Sequence, residues 1–314
     1  MPITEEEFGK YRRFTREMVK DIGAFDFDGE MALWHYTNGA GLLGILESGS
    51  IRASQVACVN DSTETLYATR LFRDALLKVR ETNSGDKEAV AFLDNVLEEI
   101  AEGPDVPGHA SSQFFVACFS SLEDDINQWL KYGGLHGENG YAVGFRARGL
   151  MIDVNTVLAR VSYDRTKHER MALAAAESTL AFYREGLTGA RVDDPAQWAK
   201  EFFAAWDTAI YRLSPLLKDD CFSAEMEFRV VHELQAVEYP QVRFVQKDNM
   251  LARYIDLQTD AWRQTRNPSL PIVKVLIGPG RNKGITKVSV KTLLTQMGYP
   301  DVEVGVTKRP VQRP

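Results

Sequence analysis

The sequence predicts an α+β protein. Strand-like runs rich in β-branched and aromatic residues recur from about residue 32 to residue 306, and helical runs with apolar residues three and four apart are interposed without regular βαβ alternation. At 314 residues the chain is long enough for one elaborated domain or two smaller ones. The expectation is an amino-terminal helix within 1–30 and a single α+β domain over 31–314. That domain has a bent mixed or antiparallel sheet, flanking helices and a helical insertion at about 166–214.

Residues 5–21 have helical amphipathicity, and Thr4 with Glu7 three positions on forms a capping box. A strand follows at 32–36. Leu42, Leu43, Ile45 and Leu46 make a short helix that stops at Gly49, and Ile51 with Ala53 begins another extended piece. Asp61 and Glu64 repeat the capping-box spacing, opening a helix with Leu66, Tyr67, Leu71, Ala75, Leu76 and Val79 on one side. A second helix with Leu93, Val96, Leu97 and Ile100 ends before Gly103-Pro104, so the two form a helical hairpin. A strand at 113–119 leads into Ser120-Ser121-Leu122-Glu123, expected to cap a short helix reaching Trp129 and Tyr132. Strands are expected at 141–145 and 157–163. The insertion carries Leu173, Ala176, Leu180, Tyr183 and Leu187 on one helix, then Trp198, Phe202, Trp206, Ala209 and Leu213 on another. Further strands fall at 228–234, 242–245 and 272–277, followed by a helix at 286–297 and a strand at 302–306.

Hydrophobic residues make up 44% and charged residues 26%, which is the balance of a folded chain and not of long disorder. A net charge of -7 argues against a broad basic surface for nucleic acid. Cys58, Cys118 and Cys221 are spaced neither as a disulfide framework nor as a zinc site, which fits a reducing cytoplasm. No signal-peptide pattern opens the chain and no window approaches the ~18 apolar residues of a membrane span, so a cytoplasmic location without membrane insertion is expected.

The densest chemistry lies in Glu225-Met226-Glu227-Phe228-Arg229. If this segment is a strand, Glu225, Glu227 and Arg229 share one face, an acid, acid, base row that is costly near a core unless paired. It reads either as an exposed ladder or as a site in which an arginine orients a carboxylate. Trp34-His35-Tyr36-Thr37 ends a strand, where His35 is either structural or a donor to a ribose hydroxyl. Asn60-Asp61-Ser62-Thr63-Glu64 reads as a helix cap before it reads as a metal site. Gly278-Pro279-Gly280-Arg281-Asn282-Lys283-Gly284 reads first as a basic hairpin turn and second as a phosphate cradle.

Taken in order, these pieces resemble the bacterial family called domain of unknown function 2971 from about residue 33 onward. The matching motifs are His35-Tyr36-Thr37 with Gly49; Asn60-Asp61 with Glu64; Cys118-Phe119-Ser120 with Asp124 and Trp129 to Tyr132; and Tyr141-Ala142-Val143-Gly144-Phe145. Glu225 to Arg229, Val275 to Pro279 and Val306-Thr307-Lys308-Arg309-Pro310 complete the set. The resemblance names no reaction. The opening motif and the Glu225-Met226-Glu227 pattern are also similar to ADP-ribosyltransferase-like folds, including DNA-modifying toxins. That similarity implies NAD as substrate, with His35 at the adenosine ribose, Tyr36 and Thr37 beside it as cofactor-binding residues, Tyr132 or Tyr141 stacked on nicotinamide and Glu227 at the nicotinamide ribose.

Such a carboxylate stabilises the oxocarbenium-like ribose that forms as the nicotinamide bond breaks. Glu225 then orients or deprotonates an acceptor, and Arg229 keeps the pair ionised or grips a diphosphate oxygen. The resulting expectation is an ADP-ribosyltransferase or NAD glycohydrolase in a toxin or phage-defence setting, with a protein or nucleic-acid acceptor and no metal. Two alternatives stay open. One is a nuclease or phosphodiesterase binding Mg²⁺ through Asp61, Glu64, Glu225 and Glu227; the other is a sensor or interaction module without catalysis.

Overall fold

A computed structural model describes residues 5–58, 62–101, 114–133, 139–150, 155–188, 202, 212–234, 236–247, 250–258 and 270–309. The helices are α1 (Glu5–Asp21), α2 (Gly39–Ser48), α3 (Ser62–Thr82), α4 (Lys87–Ala101), α5 (Ile126–Tyr132), α6 (Arg165–Thr188) and α7 (Lys283–Gln296). The strands are β1 (Ala32–Thr37), β2 (Ile51–Gln55), β3 (Phe114–Ser120), β4 (Tyr141–Arg146), β5 (Thr156–Arg160), β6 (Glu227–Glu233), β7 (Arg243–Lys247), β8 (Met250–Leu257), β9 (Ile272–Ile277) and β10 (Glu303–Val306). The fold is thus mixed α and β, with a mixed sheet. Two compact units divide it.

The first unit comprises Met1–Asp26, Gln55–Phe114 and Val161–Phe222. It collects α1, the hairpin of α3 and α4, and α6, the first helix of the expected insertion. Packing is aromatic: Phe92 stacks on Tyr183 at 3.7 Å and Phe14 meets Phe182 edge-on at 5.7 Å. Buried His168 bridges Tyr67 Oη (2.8 Å, Nδ1) and Ser162 Oγ (2.9 Å, Nε2). Thr4 and most of the second insertion helix, including Trp198, Trp206 and Ala209, lie outside the described residues.

The second unit comprises Phe27–Ser54, Phe115–Arg160 and Ser223–Pro314. Its strands run in the order β10-β9-β4-β1-β3-β2-β8-β7, with β6 branching from β3 and β5 pairing with β6. β9 and β10 are parallel, whereas β1 and β9 both pair antiparallel with the intervening β4. β1 and β9 therefore run in the same direction, and α2 and α7 start at their carboxyl ends.

Side-chain alternation sorts the sheet into two faces. Leu33, Phe119, Val143, Phe145, Val275, Ile277 and Val304 share one, covered by Leu42, Ile45 and Leu46 of α2 and by Val290 and Leu294 of α7. Trp34, Tyr36, Ala142 and Leu276 share the other, covered by Trp129 of α5. Asn38 caps α2 by accepting from Gly41 N–H at 2.8 Å, and Gly49 ends it in the left-handed conformation, φ 59°.

Four local expectations are corrected. Asp125, not the serines of 120–123, caps α5 by accepting from the N–H groups of Asn127 (2.9 Å) and Gln128 (3.0 Å). Residues 220–225 form a 3₁₀ turn, and Met226 takes φ 46°, so Glu225 does not share the strand face of Glu227 and Arg229. Gly278 to Gly284 joins β9 to α7 and is not a hairpin. Strand β8 was absent from the sequence expectation; it forms by pairing with β2 on one side and β7 on the other.

Candidate functional site

On the α5 face the chain brings β3, α5 and the start of β6 together. Ser120 Oγ donates to the Glu225 carbonyl at 2.7 Å, and Ser121 N–H donates to the Met226 carbonyl at 3.0 Å. These bonds hold the left-handed Met226 in place. Lys131 Nζ forms an ion pair with the nearly buried Glu225 carboxylate. Two residues on, Arg229 clasps Glu227 with a fork, Nε to Oε1 at 2.8 Å and a terminal nitrogen to Oε2 at 3.0 Å, with side-chain exposures of only 3% and 7%. Both carboxylates are therefore met by cations of the chain itself.

Tyr36 belongs to this face but its hydroxyl is committed, donating to the Leu122 carbonyl at 2.6 Å and accepting from Asp125 N–H at 3.1 Å. Its ring meets Trp129 edge-on at 4.7 Å, and burial pushes its pKa up. Tyr132 packs on the same cluster. Asp124 anchors the carboxyl-terminal segment, accepting from Trp129 Nε1 (2.7 Å), Thr307 Oγ1 (2.5 Å) and Lys308 N–H (3.3 Å). In the sequence Asp124 stands as one member of the motif shared with the resembled family. The signal lay in the doubled Asp124-Asp125, because a cap needs one of the two.

On the opposite face stand His35, Thr37 and Tyr141. Thr37 and Tyr141 are direct cross-strand partners, and His35 lies two residues along the same face, its ring 5.7 Å from Phe119. His35 Nδ1 is 2.9 Å from the Cys118 carbonyl; a carbonyl only accepts, so Nδ1 carries the proton. Burial pushes the His35 pKa down. A neutral ring results, with Nε2 as an acceptor. Burial also raises the pKa of Tyr141, which keeps its hydroxyl protonated.

Around this group the backbone is glycine-rich. A Cβ on Gly41 would lie 1.9 Å from Thr37 Oγ1, so the first turn of α2 approaches that hydroxyl only because residue 41 is glycine. Asn139, just before β4, ties down the first turn of α7 by donating to the Arg281 carbonyl (3.2 Å) and Thr286 Oγ1 (3.0 Å). Asn282 at the head of α7 makes no side-chain cap. Tyr141 thus starts the strand that runs between the two strands whose ends open into α2 and α7.

His35 and Glu227, which the resemblance assigns to one NAD site, lie on different faces of the sheet. Phe228 and Val230 lie on the α2/α7 face, so Glu227 and Arg229 point to the other, away from His35. The two candidate tyrosines separate likewise: Tyr141 packs on the α2/α7 side, Tyr132 on the cluster of Trp34, Tyr36 and Trp129. Asp61 and the Glu64 side chain lie outside the described residues, and among the described residues no three His, Cys, Asp or Glu are grouped to hold a metal ion. No described helix is long and apolar enough to cross a membrane. No family model, curated protein or solved structure matches the chain, so the resemblance to domain of unknown function 2971 rests on the motifs alone.

Proposed function

We propose that the chain is a nucleotide-binding sensor, with NAD as its ligand and no group transfer of its own. One observation carries the reading: His35, Thr37 and Tyr141 share the face on which α2 and α7 begin, at the common ends of β1 and β9. Helix amino termini favour a diphosphate through unpaired N–H groups and the positive end of the dipole. Tyr141 offers a ring for stacking. The neutral His35 and the Thr37 hydroxyl match ribose hydroxyls, which both donate and accept.

Group transfer is the less supported reading because it needs a carboxylate beside the nicotinamide ribose. Glu225 and Glu227 belong to the other face, each engaged by Lys131 or Arg229. The similarity to ADP-ribosyltransferase-like folds supports the choice of ligand, and a toxin or phage-defence setting rests on that similarity alone. Purified protein incubated with NAD and cell extract is expected to bind NAD, followed by calorimetry, and to release no nicotinamide by chromatography. Sustained nicotinamide release lost in Glu227→Gln overturns the sensor reading in favour of the transferase; absence of NAD binding removes both.

A further inference from the structure

At the far end of the sheet from β7, a cavity of about 530 Å³ runs between α7 and β10. Lys287 and Lys291 form its helical wall, while Val302, Glu303 and Val304 form its strand wall and Asp301 lies at the end of that wall. β10 is the last strand in the order, so its outer edge is unpaired among the described residues. Thr307 N–H points inward to the Ile277 carbonyl at 2.8 Å. By the period of two, the N–H and C=O groups of Val304 and Val306 face outward.

The charges are as informative as the edge. Lys287 and Lys291 make no ion pair among the described residues, whereas Glu303 is already paired with Lys274 at 2.9 Å. One helical turn separates the two lysines, a rise of about 6 Å. Alternate residues of an extended strand repeat at about 6.6 Å. A strand laid along β10 would therefore present every second side chain to successive lysines.

We propose that this groove docks an extended partner peptide with carboxylates at alternate positions, which adds as a strand to the edge of β10 and pairs with Lys287 and Lys291. The site is independent of the NAD reading, for it uses the middle of α7 and not its start. The probe is a blocked pentapeptide with glutamate second and fourth and threonine or valine elsewhere, set against its lysine counterpart. Calorimetry should show the glutamate peptide binding and the lysine peptide failing to bind. The double variant Lys287→Glu/Lys291→Glu should weaken the glutamate peptide by about tenfold or more. Hydrogen exchange at the Val304 and Val306 amides should slow in the complex. Equal binding of the two peptides, no binding at millimolar peptide, or binding without protection of those amides overturns the proposal. The peptide comparison needs only wild-type protein, so it decides the matter even if the double variant fails to fold.

Discussion

Glu225 and Glu227 stand two residues apart and are about equally buried, yet their cationic partners meet solvent differently. Glu227 is forked by a buried Arg229, so Glu227→Gln removes one partner of a buried ion pair and should cost about 3 to 5 kcal/mol in chemical denaturation. Lys131 is about half exposed, so Glu225→Gln should cost roughly 1 kcal/mol or less. Equal losses in the two variants would contradict this division. The row of charges was visible in the sequence, but its break was not. Methionine is no marker of a positive φ; bonds from Ser120 and Ser121, together with the Met226 N–H bond to the Ser223 carbonyl, hold the turn. His168 adds a pH dependence, because burial pushes it down to about 4 from an ordinary 6.5. Between those values the unfolded chain takes up a proton that the folded chain refuses, so stability falls as pH drops from about 6.5 to 4 and is level above about 7. Urea midpoints measured at pH 7 and pH 5 test this. His168→Gln should flatten the difference, and an unchanged slope would place the pH sensitivity elsewhere.

At the scale of elements, the periodic helices were legible because their packing agrees with their spacing. α1, α2, the α3/α4 hairpin and α6 appear close to where the apolar positions put them. Strand β8 was not. Leu251, Tyr254 and Ile255 fall at three- and four-residue spacing, a helical pattern, and only pairing with β2 and β7 makes the segment extended. The cap of α5 was misassigned because serine and aspartate both suit the role; the serines are instead drawn to Glu225 and Met226. Asp125→Ala should therefore cost about 1 kcal/mol, and Ser121→Ala clearly less, in thermal melts of the two variants. The reverse ranking would return the cap to the serines. At the turn into β6, Met226→Gly should be neutral or stabilising by up to about 1 kcal/mol, whereas Met226→Val should destabilise, since a β-branched residue resists φ 46°.

For the whole molecule, motif order along the chain suggested one pocket, and the sheet distributes the motifs over two faces. Which face a strand residue takes depends on its parity, and parity becomes a position only once strand order is known. His35 and Glu227 are both odd-numbered strand residues, yet Leu33 and Phe228 turn the same way, so the two candidates turn apart. The mixed sheet follows from short strand-like runs and was foreseeable; the alignment of β1 with β9 across β4, which gathers the starts of α2 and α7, was not. In the proposed reading, ligand recognition belongs to the His35, Thr37 and Tyr141 face and the ion-paired glutamates to structure. Calorimetric titration of NAD into wild type, Tyr141→Ala and Glu225→Gln tests it most directly. The account predicts that Tyr141→Ala weakens binding by about tenfold, the loss of one stacking partner, while Glu225→Gln binds as wild type does. Unimpaired binding by Tyr141→Ala, or binding lost in a folded Glu225→Gln, would contradict it.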